Sequence, residues 1–193
     1  TINLYKEIEA TSGHSIGLHS TGGFYLASNR VWYDYLKRER SKARYMGLDQ
    51  EFISVEEVAR RHPLIDPRHY IAALWDPLDG DIDPSQVTQA LATRTRGMGG
   101  RIRRYERGIG LEQQLNDSWV VTSRTKAGEL HTIHCDIVVN AAGMWAPRVC
   151  QMVGTWVPST PVDHQHIALT AVEGHELPRD MPCFRDPDNL VYG

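Results

Sequence analysis

Three stretches of this 193-residue chain concentrate side chains that could do chemistry. The first is His134-Cys135-Asp136-Ile137-Val138-Val139-Asn140-Ala141-Ala142-Gly143-Met144-Trp145-Ala146-Pro147. Ile137 to Val139 is a β-branched run of the kind buried in a parallel sheet. The chain then turns through Ala141, Ala142 and Gly143 into a predicted helix over Trp145–Val153. A strand, a turn of small residues and a helix N-terminus let the backbone come close to a phosphate or ribose, so these three residues are candidate nucleotide contacts. A tight strand-to-helix turn with no ligand needs small residues too. The second stretch holds His164 and His166, which face one side if the segment is a strand. Such a pair could ligate zinc, but no third ligand of suitable spacing accompanies it. The third is Asp76-Pro77-Leu78-Asp79-Gly80-Asp81-Ile82-Asp83-Pro84. Calcium loops are similarly rich in oxygen ligands, yet here the glycine is misplaced and no glutamate closes the loop. The stretch reads better as a turn ending in an N-cap, Asp83, and a first helical residue, Pro84. No metal site is predicted.

Stepping along the chain, apolar spacing predicts a helix over Thr1–Thr11, ended by Ser12-Gly13. Ser15–His19 and Phe24–Ala27 suggest a hairpin joined through Thr21-Gly22-Gly23. Asn29 caps a predicted helix over Arg30–Met46, whose basic side chains make either a solvated face or an anion-binding surface. Glu51–Ile53 is a short strand, followed by a capping box at Ser54 and Glu57 whose helix must end by Arg61 or His62, ahead of Pro63. Tyr70–Trp75 is another strand, and Pro84–Met98 a helix with Val87, Ala90 and Leu91 inward. Gly108–Gln114, Trp119–Thr125 and Leu130–His134, separated by tight polar turns, predict an antiparallel meander. A strand over Pro161–Val172 and two more at Phe184 and Leu190–Tyr192 complete the pattern. The predicted class is mixed α/β.

The composition is that of an ordinary water-exposed protein, 41% hydrophobic and 23% charged with net charge −3. The charge is too small and too mixed to point to nucleic acid. No apolar run approaches the roughly 20 residues needed to span a bilayer. No charged-then-apolar leader is visible, so the expected location is the cytoplasm, or the mitochondrial matrix in a eukaryote. Cys135, Cys150 and Cys183, odd in number and without a CxxC, read as reduced thiols. The absence of an initiator methionine suggests a piece of a longer chain.

Taken in this order, Asp79-Gly80-Asp81-Ile82-Asp83-Pro84 with its helix, Ile137 to Ala146, and Val162-Asp163-His164-Gln165-His166 resemble one known family. It is the flavin-dependent amine oxidoreductases of the dimethylglycine and sarcosine dehydrogenase group, in the D-amino-acid-oxidase-like superfamily. The resemblance implies the second half of an FAD-binding domain at residues 76–157, interleaved with substrate-domain segments at 1–75 and 158–193. It implies FAD as cofactor and oxidation of an N-methylated glycine or a related secondary or tertiary amine. Hydride passes to the flavin, and water or folate traps the iminium; folate would bind elsewhere in the full-length protein. Oxygen or an electron-transfer protein would take the electrons. The family's glycine-rich phosphate turn and flavin-linking histidine are not in this sequence.

Carried over by position, Ala141, Ala142 and Gly143 would approach the FAD pyrophosphate and ribose, with Trp145 packing beneath the helix. Gly108 stands where the family usually places a valine whose backbone meets the adenine. His164 matches a substrate-side histidine able to act on the amine proton, a task suited to a pKa near neutrality. His166 stands where the dimethylglycine-type relatives commonly have tyrosine. Their Leu-Tyr-Tyr-Arg strand reads Leu190-Val191-Tyr192-Gly193 here. Val191 takes the first tyrosine position and cannot donate a hydrogen bond, and Tyr192 would face the other way. Two rival readings are a non-catalytic regulatory or scaffold relative, and a metal-dependent hydrolase built on His164 and His166.

Overall fold

A computed structural model describes residues 1–168, 170 and 177–193. By compactness the chain forms two units, Thr1–Gly100 with Thr170–Gly193, and Arg101–Leu169.

In the first unit, helix α1 (Ile2–Ser12) leads to strand β1 (Gly23–Ala27), helix α2 (Arg30–Tyr45), β2 (Glu51–Ile53) and α3 (Val55–Arg61). Strand β3 (Ala72–Asp76), helix α4 (Pro84–Gly97) and, late in the chain, strands that we number β7 (Cys183–Asp186) and β8 (Val191–Tyr192) complete it. The sheet order is β2-β3-β1-β7-β8, with β1 parallel to β7 and antiparallel to β3. Period-two alternation along β1 sends Phe24 and Leu26 to one face, against Val58 of α3, and Ala27 to the other, against Leu36 of α2. Full burial of each of the larger side chains, Phe24, Leu26, Val58 and Leu36, stabilises the fold by about 1.5–3 kcal/mol.

Local signals placed the helix starts. Asn29 accepts from the N–H of Trp32, Ser54 from that of Glu57, and Asp83 from those of Ser85 and Gln86. Helix α4 packs on α1 through Ala90, Ile8 and Ile16, with Val87 partly buried. Leu91, expected inward, is exposed. The expected hairpin does not form. Gly17 is left-handed at φ 60, which breaks an extended run, and His19 pairs instead with Asp81 in a single antiparallel bridge.

His62 ends α3 almost fully buried, its ring edge-on to Phe184 and its Nδ1 without a hydrogen-bond partner among the described residues. Burial pushes its pKa down. The neutral ring's contribution is therefore complete above the unfolded value of about 6.5 and is lost as pH falls through the depressed folded value. Urea midpoints measured between pH 7.5 and 5 should fall in the native protein. They should fall less in His62→Leu, which packs a similar volume without the titration.

The second unit holds the meander β4 (Glu106–Gln113), β5 (Trp119–Thr125) and β6 (Leu130–Cys135), an antiparallel sheet ordered β4-β5-β6. Its turns use left-handed residues where the sequence offers them, Asp117 at φ 64 and Gly128 at φ 91. Glu106 accepts hydrogen bonds from Ser123 and His131 and pairs with Arg103, which together pull its carboxyl down to about 2. The Ile137–Val139 run, expected as a buried parallel strand, is in no strand among the described residues. Ile137 is 78% and Val139 80% exposed. A β-branched run becomes a strand only beside another, and no described strand pairs with it. The strand expected over Pro161–Val172 is likewise absent over its described part, 161–168 and 170; the rest lies outside the described residues.

Candidate functional site

The Asn140–Gly143 turn is held by its own side chain. Asn140 Oδ1 accepts from the N–H of Ala142 at 3.2 Å, and Nδ2 donates to the carbonyl of Ala146 at 3.0 Å. One amide thus spans the turn and ties it to the next helix. Gly143 takes φ 53 and opens a 3-10 turn, Gly143–Trp145, that runs on into helix α5 (Ala146–Gln151). The predicted helix over Trp145–Val153 is therefore shorter and begins in 3-10 form.

Turn and meander together make a groove of about 450 Å³, lined by Arg107, Gly108, Ala142, Trp145, Arg148, Val149 and Met152. Gly108 and Ala142, named separately from sequence, meet here. Trp145, expected beneath the helix, is 56% exposed and lines the groove instead. Ala141 and Gly143, the chain neighbours of Ala142, are not among its lining residues and are exposed. The chemistry of the walls suits one end of a dinucleotide. Trp145, Val149 and Met152 offer apolar surface to a flat ring, Arg107 and Arg148 offer cations to phosphate, and the small residues let backbone come close.

Gly108 is not demanded by its backbone, and a Cβ built there meets nothing within 4 Å. Gly108→Val should accordingly stabilise the meander by about 0.5–1 kcal/mol, because valine loses less entropy and suits a strand. A rise in thermal midpoint checks this; a fall would show that the groove has no room for the side chain.

In the first unit, β8 pairs antiparallel with β7, setting Tyr192 opposite Arg185 and Val191 opposite Asp186. Tyr192 and Val191 therefore face opposite ways. Arg185 is in turn level with Tyr25 of β1. Its guanidinium lies 5.1 Å from the centre of the Tyr25 ring, and Nη1 donates to the Tyr25 hydroxyl at 3.2 Å and to Asp79. Burial raises the pKa of Tyr25, with the arginine opposing it. Asp79 thus serves as counterion to Arg185. Within the same acidic stretch Asp76 bonds the N–H of Leu78, Asp81 pairs with His19 and Asp83 caps α4. Each carboxylate has a structural partner.

His164 and His166 lie in the exposed segment 161–168, which forms no strand. They belong to the second unit and Tyr192 to the first. Among the described residues no group of three or more metal-ligating side chains could hold a metal ion, and no helix is long and apolar enough to cross a membrane. Asn140, Arg107, Arg148 and Arg185 were not singled out from sequence. Asn140 alone had a local signal there, an Asx turn ahead of small residues.

One unit holds a mixed sheet and the other an antiparallel meander with a small-residue turn at a groove, a mixed α/β architecture. The chain belongs to the DAO family of FAD dependent oxidoreductases, whose match covers residues 1–193. Within it the chain is similar to the dimethylglycine and sarcosine dehydrogenases. It is 31% identical over 193 residues to mitochondrial dimethylglycine dehydrogenase of Homo sapiens, covering 100% of this chain and 22% of that protein. It is 32% identical over 191 residues to the mitochondrial pyruvate dehydrogenase phosphatase regulatory subunit of Mus musculus, covering 98% of this chain and 21% of that protein. Among solved structures, L-proline dehydrogenase from P. horikoshii superposes with TM-score 0.68 at 28% identity, over 79% of this chain and 39% of that one. The chain spans about a fifth of the length of these curated relatives.

Proposed function

We propose that the protein is an FAD-dependent oxidoreductase acting on the C–N bond of an N-methylated glycine or a related secondary or tertiary amine. The observation that carries this is the convergence of Gly108, Ala142 and Trp145 on one groove with two arginines at its walls. In this reading Ala141, Ala142, Gly143, Trp145 and Gly108 hold part of FAD, with Arg107 and Arg148 toward its phosphates. Residues 76–157 supply the FAD-binding half, although α4 lies in the first unit and packs there on α1, and segments 1–75 and 158–193 supply the substrate domain. Bound FAD supplies the hydride acceptor. The chain's own residues bind the amine and manage its proton. His164 takes or returns the proton at the amine nitrogen, as an imidazole near neutrality can. His166 stands beside it in sequence, and Tyr192 offers the hydroxyl that Val191 lacks. A small-molecule amine is the substrate partner, oxygen or a protein accepts the electrons, folate couples elsewhere in a longer chain, and the mitochondrial matrix is the location. The purified protein should show flavin absorbance; a preparation of the complete chain that folds but carries none would sink the proposal.

A second reading is favoured by one observation in particular. Val191 replaces the first tyrosine of the family strand, and a regulatory subunit is among the relatives. In that reading the groove binds FAD and the fold serves as a regulatory scaffold without turnover.

A further inference from the structure

On α2 Asp34 pairs with both Arg30 and Lys37, and on α3 Glu57 pairs with both Arg60 and Arg61. Cations crowd one end of the meander without such an acid. The register places Arg107 of β4 directly opposite Arg124 of β5, so both side chains leave the same face of the sheet. Like charges opposed in this way destabilise a sheet. Lys126, just past the end of β5, adds a third cation. Among the described residues none of the three makes an ion pair.

The three converge on one hollow of about 410 Å³, whose walls also include Tyr105, Glu106 and Ile109. The carboxylate among them does not neutralise it. Glu106 Oε1 accepts from Ser123 and His131 and pairs with Arg103, so its charge is matched elsewhere. Tyr105 shapes the rim. It takes φ 59, an outlier for so bulky a residue, and its carbonyl accepts from the N–H of Lys126 at 2.9 Å. Strain of this kind persists where the surroundings over-determine it, and it gathers at ligand sites. The β4–β5 register shifts at Ile109, an irregularity that re-aims side chains beside binding sites.

We propose that this hollow is a second anion site, distinct from the groove beside Ala142, and that it takes the phosphate group of a small molecule. Arg107 and Arg124 offer guanidinium forks from adjacent strands and Lys126 a rotatable ammonium, a set matched to the several oxygens of phosphate. A bound phosphate also relieves the repulsion across the β4–β5 pair, so binding stabilises the sheet. Arg107 lines both the hollow and the groove, whereas Arg124 and Lys126 line the hollow and not the groove. The site lies within the meander and does not depend on flavin in that groove.

The test uses the purified protein with whatever flavin it carries, as native, Arg124→Gln, Lys126→Gln and the double variant, all at one ionic strength. Calorimetric titration with inorganic phosphate should show one saturable site per chain in the native protein. The double variant should bind with Kd raised on the order of tenfold or more. Phenyl phosphate is titrated in parallel. Tighter binding than inorganic phosphate assigns the site to a phosphate ester, and equal or weaker binding assigns it to free phosphate. Thermal midpoints give a second reading that does not need the variants to bind anything. Without phosphate, Arg124→Gln should melt above the native protein, because the like-charge pair is gone. Added phosphate should raise the native midpoint and leave that of the double variant nearly unchanged. Flavin-to-protein absorbance ratios should be the same in all four forms. Phosphate binding that does not saturate, or that is equal in native and double variant, overturns the proposal. Flavin lost from the variants would assign these cations to the cofactor and overturn a separate site.

Discussion

Replacing Ala142 by glutamate is expected to strip flavin from the protein while leaving its fold intact. Ala142 lines the groove beside Trp145 and Arg148, with backbone at φ −82 and ψ 12, a conformation open to any residue. Its N–H is already engaged by Asn140, so the turn keeps its anchor. Glutamate adds bulk where the backbone should approach the cofactor and a negative charge where phosphate should lie. Even if Arg148 pairs with it, the groove is filled. The dissociation constant for FAD should rise at least tenfold, roughly 1.4 kcal/mol or more. Flavin-to-protein absorbance ratios after desalting read this directly, with Ala142→Ser as the control that keeps the cofactor. Equal flavin content in Ala142→Glu would show that the groove is not where FAD is held.

Gly22→Ala should be the most damaging small substitution in the first unit. Gly22 sits at φ 80, and a Cβ there would lie 1.9 Å from the ring of Trp75. Left-handed backbone costs an L-residue about 1–2 kcal/mol. Moving the tryptophan adds an overpacking cost of about 1–3 kcal/mol. Trp75 cannot move freely, because its ring packs on Phe24 at 5.0 Å and under the guanidinium of Arg61 at 4.7 Å. A urea midpoint lowered by roughly 1 M or more is the expected result. The neighbouring connection would suffer too, since Gly22 donates to Asp79 and accepts from Cys183, joining β1 to β7 and to the acidic turn. Gly13→Ala is the matching control, with positive φ but open space around it.

What could be seen in the sequence was what is decided within a few residues. The caps at Asn29, Ser54 and Asp83 form because each side chain reaches an N–H two or three positions on. The meander was visible because Asp117 and Gly128 supply the positive φ that its turns need. The failures are non-local. Ile137–Val139 has the composition of a buried strand, but pairing depends on what lies alongside, which no local pattern reveals. Ser15–His19 looked like half a hairpin, and its one bridge is to Asp81, far along the chain.

The candidate site divides the same way. Ala141, Ala142 and Gly143 were visible as a turn of small residues, and Gly108 through a family likeness; their meeting in one groove took the fold. Arg185 binds Asp79 across 106 positions and Asp188 binds Ser28 across 160, separations at which spacing carries no signal. Which side chains meet across such separations could be found only once the sheet order was known.

The central claim is amine oxidation at flavin, and anaerobic mixing of the purified holoprotein with N-methylated glycines tests it most directly. The account predicts that the flavin absorbance bleaches with at least one member of a panel of secondary and tertiary methylamines. Bound flavin that stays oxidised with every one of them would contradict it.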